Sequence, residues 1–103
     1  MILIKRTTLP VDEKLVDKIT TRQLEKSASE IDIKIESSIF VHGTFDWVIC
    51  FKAKDMKHAK KFSEIVNKTY WGYIGEVHMM EALFPIRIQG ILNPEIEKLK
   101  EFL

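Results

Sequence analysis

The stretch Ile31-Asp32-Ile33-Lys34-Ile35-Glu36-Ser37-Ser38-Ile39-Phe40-Val41 decides how this chain folds. Ile31, Ile33, Ile35, Ile39 and Val41 stand at alternate positions, with Asp32, Lys34, Glu36 and Ser38 between them. Successive side chains of a strand point to opposite faces, so this two-residue period predicts a half-buried strand. His42-Gly43-Thr44-Phe45-Asp46 follows with turn chemistry, and Trp47 to Ala53 is a nearly continuous apolar run. The two runs are expected to form a β-hairpin.

Outward from the hairpin, the periods change. Met1 to Lys5 reads as a short strand, closed by the turn Thr7-Thr8-Leu9-Pro10. From Val11 to about Ser29 the spacing turns helical, with Val11, Leu15 and Ile19 on one face. Thr20-Thr21 weakens that helix, because β-branched residues lower helix propensity. Asp55 is a fit N-cap for a helix reaching roughly Tyr70, with Met56, Ala59, Phe62, Val66 and Tyr70 on its apolar face. Gly72 and Gly75 end it. Glu76 to about Ile91 is expected as one long strand, in which Met80, Ala82, Phe84, Ile86 and Ile88 alternate. Pro85 cannot donate to a ladder, so it marks an edge or a bulge. Asn93-Pro94 opens a short C-terminal helix carrying Ile96, Leu99 and Leu103.

The expected order is β-α-β-β-α-β-α, over residues 1–103 as a single domain. Two split βαβ units make an α+β, ferredoxin-like antiparallel sheet with helices on one face. Isoleucine-rich strands leave the other face apolar, so the sheet is expected to dimerise face to face.

Composition limits the function classes. Sixteen basic and fifteen acidic residues leave a formal net charge of +1, which gives no electrostatic footprint for nucleic acid. No apolar run is long enough to span a membrane, and Met1-Ile2-Leu3-Ile4 is too short for a signal peptide. The lone Cys50 excludes an internal disulfide and a cysteine zinc cage, which suits a reducing cytoplasm. Thirteen lysines and fourteen isoleucines point toward a thermophile or an AT-rich genome.

The run Val41-His42-Gly43-Thr44-Phe45-Asp46-Trp47-Val48-Ile49, then Lys54-Asp55, a helix, and Gly75-Glu76-Val77, resembles the C-terminal effector-binding domain of Lrp/AsnC transcription regulators. That family carries a Gly-x-Tyr-Asp turn, an apolar third strand, a helix opened by Asp and a Gly-Val start to its fourth strand. Here Phe45 replaces the tyrosine, and Glu76 separates Gly75 from Val77. The resemblance covers about residues 39 to 91, and the element order extends it to most of the chain. It implies dimers or larger homo-oligomers, with a small-molecule site, commonly for amino acids, between dimers near the turn. Gly43, Thr44, Phe45 and Asp46, joined by His78, are the expected ligand-binding residues. Full-length members also carry an N-terminal helix-turn-helix, whereas residues 11 to 29 are expected to hold only one helix. The resemblance therefore implies a stand-alone effector domain, with a full-length Lrp-type regulator as a further partner.

Gly43 and Asp46 are also what a hairpin turn needs for its own geometry, so both roles stand at this point. His42, His58 and His78 match no metal-ligand spacing, and neither a metal nor another cofactor is expected. Cys50 is expected as inert core between Ile49 and Phe51. Tyr70, Trp71 and Tyr73 are expected to pack at a helix end or an interface, and Met79-Met80 to fill core. The basic run Lys57-His58-Ala59-Lys60-Lys61 reads as a solvated helix face. No phosphate loop, nucleophile elbow or helical carboxylate pair points to catalysis, so no catalytic residue is expected. The same α+β dimer architecture serves small oxygenases and isomerases, which keeps an enzyme using His42 or His78 as a rival, beside a structural subunit.

Overall fold

A computed structural model describes residues 1–102, so Leu103 of the expected C-terminal helix lies outside the described residues. The elements are β1 (Ile2–Arg6), α1 (Glu13–Thr20), α2 (Gln23–Glu30), β2 (Lys34–Phe40), β3 (Trp47–Lys52), α3 (Met56–Thr69), β4 (Ile74–Met79), β5 (Arg87–Ile88) and β6 (Ile91–Leu92), closed by a 3₁₀ helix, Ile96–Phe102. The first four strands form one antiparallel sheet in the order β2-β3-β1-β4. The chain is thus α+β, with the short first strand at the centre of its sheet.

Register sets the two faces. Ile2 lies opposite Ile49 and Met79, and Ile4 opposite Trp47 and Val77. These side chains form the inner face, where α1 contributes Leu15, α2 contributes Leu24 and Ala28, and α3 contributes Phe62 and Val66 to one continuous core. Trp47 is buried between the rings of Phe40 and Tyr70, at centroid distances of 4.9 and 4.8 Å. Its indole N–H donates to Ser38 Oγ at 2.9 Å, which satisfies the one polar atom it takes into the core. Burial against this cluster, with Glu25 nearby, pushes the Tyr70 phenol up to about 12.

Several sequence expectations need correction. The single helix over 11–29 is two helices, because the Thr21 hydroxyl bonds back to the Asp17 carbonyl at 2.7 Å and Arg22 turns to φ +57°. A hydroxyl that competes for helical carbonyls ends the run where the Thr pair stands. Leu15 and Ile19 still pack inward, whereas Val11 precedes the helix and is exposed. Ile31 and Ile33 belong to the end of α2 rather than to a strand: the Ile33 and Asp32 amides donate to Ala28 and Ser29 carbonyls, with Asp32 at φ +56°. This is a Schellman-type cap with aspartate in the left-handed position.

The long strand expected over 76–91 stops at Met79. Strand β4 has β1 as its neighbour, and β1 runs out where the Met80 amide donates to the Met1 carbonyl. Beyond that point β4 has no further strand beside it, and residues 81–86 lead outside the sheet to the β5–β6 hairpin. Met80 is accordingly exposed instead of core, and the C-terminal helix is a 3₁₀ helix without a buried residue. Met56, placed on the apolar face of α3 by spacing, is exposed in its first turn. Gly75 lies inside β4, where a register shift against Lys5 and Arg6 brings it close to the β1 backbone; an added Cβ would sit 3.4 Å from two carbonyl oxygens.

Helices α1 and α3 each open on an aspartate. Asp12 Oδ1 accepts the Leu15 amide and the Tyr73 hydroxyl, at 2.9 and 2.7 Å. Asp55 Oδ1 accepts the His58 amide and lies 2.6 Å from His58 Nδ1. The Tyr73 hydroxyl first, then the Leu15 amide, holds the Asp12 carboxyl below its ordinary 3.8; the His58 amide and then its ring do the same for Asp55. A carboxylate depressed by folding adds stability above its unfolded pKa and loses it as pH falls through the folded value. The thermal midpoint is therefore expected to hold above about pH 5 and to drop below pH 4. In Asp12→Asn the midpoint at neutral pH is lower and the acid drop shallower, as calorimetry across pH would record. A second test addresses the core: Phe62→Ala, which empties a fully buried site against Phe51, is expected to cost about 3–5 kcal/mol in urea unfolding. The exposed Met56→Ala is expected to stay within about 0.5 kcal/mol.

Candidate functional site

The β2–β3 turn is built on backbone bonds that join it to the centre of the sheet. The Val41 amide donates to the Asp46 carbonyl at 2.8 Å, and the Asp46 amide donates to the Ile4 carbonyl at 2.9 Å. The Asp46 side chain then accepts the Arg6 amide on Oδ2 at 2.8 Å. Asp46 thus continues the β3–β1 ladder past its last paired residue, with a side-chain oxygen in place of a carbonyl. Gly43 sits at φ +148°, which favours glycine, and open space lies where its Cβ would be. Its requirement is conformational and not steric. Thr44 and His42 are exposed on the loop.

A bulge then determines what the outer face of the sheet carries. Ile35 lies opposite Phe51, but Ser37 lies opposite Cys50, so the register shifts at Glu36. Past the bulge the strand reverses its faces. Ser38 and Phe40 point to the core, as their bonds and ring contacts with Trp47 show, and Ile39 points outward beside Val48. The even alternation read through Ile39 and Val41 therefore breaks at one residue. Cys50 shares this outer face, half-buried, and is not core as its neighbours suggested.

Across the same face Ile39, Val48, Leu3 and His78 follow one another in register from β2 to β4. Lys5 and Glu76 face each other one step further. Because β1 separates the hairpin from β4, the two regions meet through side chains only. Phe45 makes that meeting: its ring packs edge-on against the His78 imidazole, with centroids 5.3 Å apart and planes at 67°. His78 Nε2 lies 3.2 Å from Glu76 Oε2, and Lys5 Nζ lies 4.0 Å from the same oxygen. The ring contact to His78 is made by Phe45, and His42 stays on the exposed loop. Of the expected site residues, Phe45, Asp46 and His78 are thus brought to one rim, and Gly43 and Thr44 shape the loop above it. Lys5 and Glu76 join them without having been singled out from the sequence. The signal was there, since Glu76 and His78 are two apart on a strand and so share a face.

This rim offers an aromatic edge, an imidazole, a carboxylate and an ammonium group around an apolar floor. The His78–Glu76 pair is exposed, with no closed cavity around it. Among the described residues no group of three or more His, Cys, Asp and Glu is placed to hold a metal ion. No described helix is long and apolar enough to cross a membrane. A shallow depression of about 450 Å³ lies elsewhere, on the outer side of α3, lined by Glu64, Asn67, Lys68 and Trp71. It is open and has no buried polar group aimed into it. Trp71 there is 80% exposed, while Tyr70 and Tyr73 are buried.

No family model, curated protein or solved structure matches this chain. The site therefore rests on its own geometry.

That geometry separates Asp46 from Phe45 by role. Asp46→Ala removes the acceptor of the Arg6 amide and is expected to lower stability by about 1–2 kcal/mol in urea unfolding. Asp46→Asn keeps an acceptor oxygen and recovers most of that loss. Phe45→Ala leaves the ladder intact and is expected to cost about 0.5–1.5 kcal/mol through the lost ring contact with His78, a loss that no substitution at Asp46 shares.

Proposed function

We propose that this chain is an effector-binding domain of the Lrp/AsnC type, which senses an amino acid or related metabolite and modulates transcription through assembly. The sheet order β2-β3-β1-β4 supports a ferredoxin-like reading, in which α1 and α2 together replace a single crossover helix. The assembly is a dimer or larger homo-oligomer whose uncovered sheet faces turn toward each other, with a full-length regulator as a further partner.

The observation that carries the reading is the rim where Phe45 of the glycine turn meets His78, with Lys5 and Glu76 beside them. An amino acid is a zwitterion with a variable side chain. Lys5 and His78 suit its carboxylate, Glu76 suits its ammonium group, and the apolar floor of Leu3, Val48 and Ile39 suits the side chain. Such exposed charges bind weakly in open solvent and far better where a second copy excludes water.

The test is the thermal midpoint of the full chain across the twenty amino acids, with assembly followed by light scattering. A ligand that binds only the folded state adds about 2.7 kcal/mol at a hundredfold excess over its Kd. For a domain of this size that is a rise of about ten degrees or more. A selective rise for one chemical class is expected, lost in Lys5→Met/Glu76→Gln. A flat response over the whole panel removes the effector reading.

A further inference from the structure

Residues 81–102 form an ordered arm that contributes nothing to the core. They are ordered by their own bonds: Asn93 donates its amide to Ile86 and its side-chain N–H to Pro85, Arg87 bonds the Gly90 carbonyl, and the Phe84 and Phe102 rings meet at 5.4 Å. The buried cluster has no member from this segment. Instead Leu83, Ile88 and Ile91 are 72%, 61% and 70% exposed, beside Ile86, Leu92 and Phe102. The β5–β6 hairpin thus holds Ile88 and Ile91 in water.

The size of the molecule agrees. Its radius of gyration is 15.4 Å, where a compact chain of this length has about 13 Å. Its accessible surface is 7827 Å², where a compact protein of 12.1 kDa has about 6,000 Å². The excess of about 1,800 Å² exceeds the roughly 800 Å² that each partner buries in a stable interface of standard size.

We propose that the C-terminal arm is an exchange arm: residues 81–102 of each copy pack onto the outer sheet face of a second copy of this chain, flanking the contact between the sheets. The arm and the outer face both carry exposed apolar side chains, and the strands of the arm pair only with each other. The arm presents Leu83, Ile88 and Ile91, and the flank that receives it presents Ile39 of the edge strand β2, 55% exposed, beside Val48 and Cys50, while Leu3 on the central strand is left to the contact between the sheets. Mutual exchange closes a twofold dimer, with each arm meeting the same surface on the other chain and no face left to propagate a fibre. This deepens the assembly invoked above and rests on that reading only for the use of the sheet face.

The test uses the full chain and its single thiol. Sedimentation equilibrium of the unaltered protein is expected to give twice the 12.1 kDa chain mass, with Cys50 slow to react with a thiol reagent. In Ile88→Glu/Ile91→Glu two carboxylates replace apolar contacts, so association is expected to weaken by about a hundredfold or more, while Cys50 reacts faster. Circular dichroism stays unchanged, because neither residue touches the core. The milder Ile88→Ala/Ile91→Ala should fall between the two. A monomeric unaltered chain overturns the proposal, and so does a monomer with a protected thiol, which places the arm on its own sheet. A dimer whose mass and thiol reactivity ignore both double variants overturns it as well. A dimer that responds to the arm variants but to no amino acid upholds the exchange arm and removes the effector reading instead.

Discussion

Strand β1 is the part on which the remaining elements depend, although it is only five residues long. It pairs with β3 on one side and β4 on the other, and places Ile2 and Ile4 at the centre of the core, both fully buried. The hairpin and the α3–β4 half pair with each other nowhere in the sheet. Their backbones are joined by two ladders that share one strand, and side-chain contacts such as Phe51 on Phe62 and Trp47 on Tyr70 complete the placement. The rim inherits this dependence, because Phe45 comes from one side and His78 from the other, across β1. Asp46 strengthens the same junction where β1 leaves the ladder, by taking the Arg6 amide. A loss at this point would loosen the sheet and separate the rim in one step.

How much of this was legible in the sequence depends on which force set each feature. Elements fixed by local chemistry were readable: the Asp55 cap, the spacing of Ala59, Phe62 and Val66, and the glycine turn all stand where their residues put them. Elements fixed by what lies next to them were not. The Glu36 bulge leaves only a faint mark in the sequence: Ser37 interrupts the apolar period there, but Ile39 and Val41 resume it. The end of β4 is set by the start of β1 far away in sequence, so the alternation through Ile86 and Ile88 reads as strand while having no neighbour. The split of the first helix was half legible, because Thr20-Thr21 weakened the pattern without saying that the chain would turn at Arg22.

The candidate site divides in the same way. The turn residues and His78 were named from the sequence, but not the way they meet. Asp46 illustrates the difference. Both a ligand role and a turn role suited its identity, and in the fold its carboxylate is already engaged with the Arg6 amide. Lys5 and Glu76 were passed over because each belongs to a strand whose apolar members drew the reading. Only the register, which sets them opposite each other, makes them a pair.

Size makes assembly and any chemistry at the rim hard to separate. A chain of 103 residues buries a modest share of its surface, and here one sheet face and an entire arm stay outside the core. The bulge at Glu36 exchanges two apolar side chains: it turns Phe40 in against Trp47 and Ile39 out to the open face, where a second copy can bury it. The charged rim borders that same open face. A partner that covers the floor also removes water from around Lys5, Glu76 and His78, and each charge interaction there gains strength as the local dielectric falls. On the proposed reading, ligand and partner would bind surfaces that share residues, and by linkage each would change the affinity of the other by the same factor. A response to a small molecule therefore needs no moving domain in so small a fold; a shift in the association equilibrium is enough.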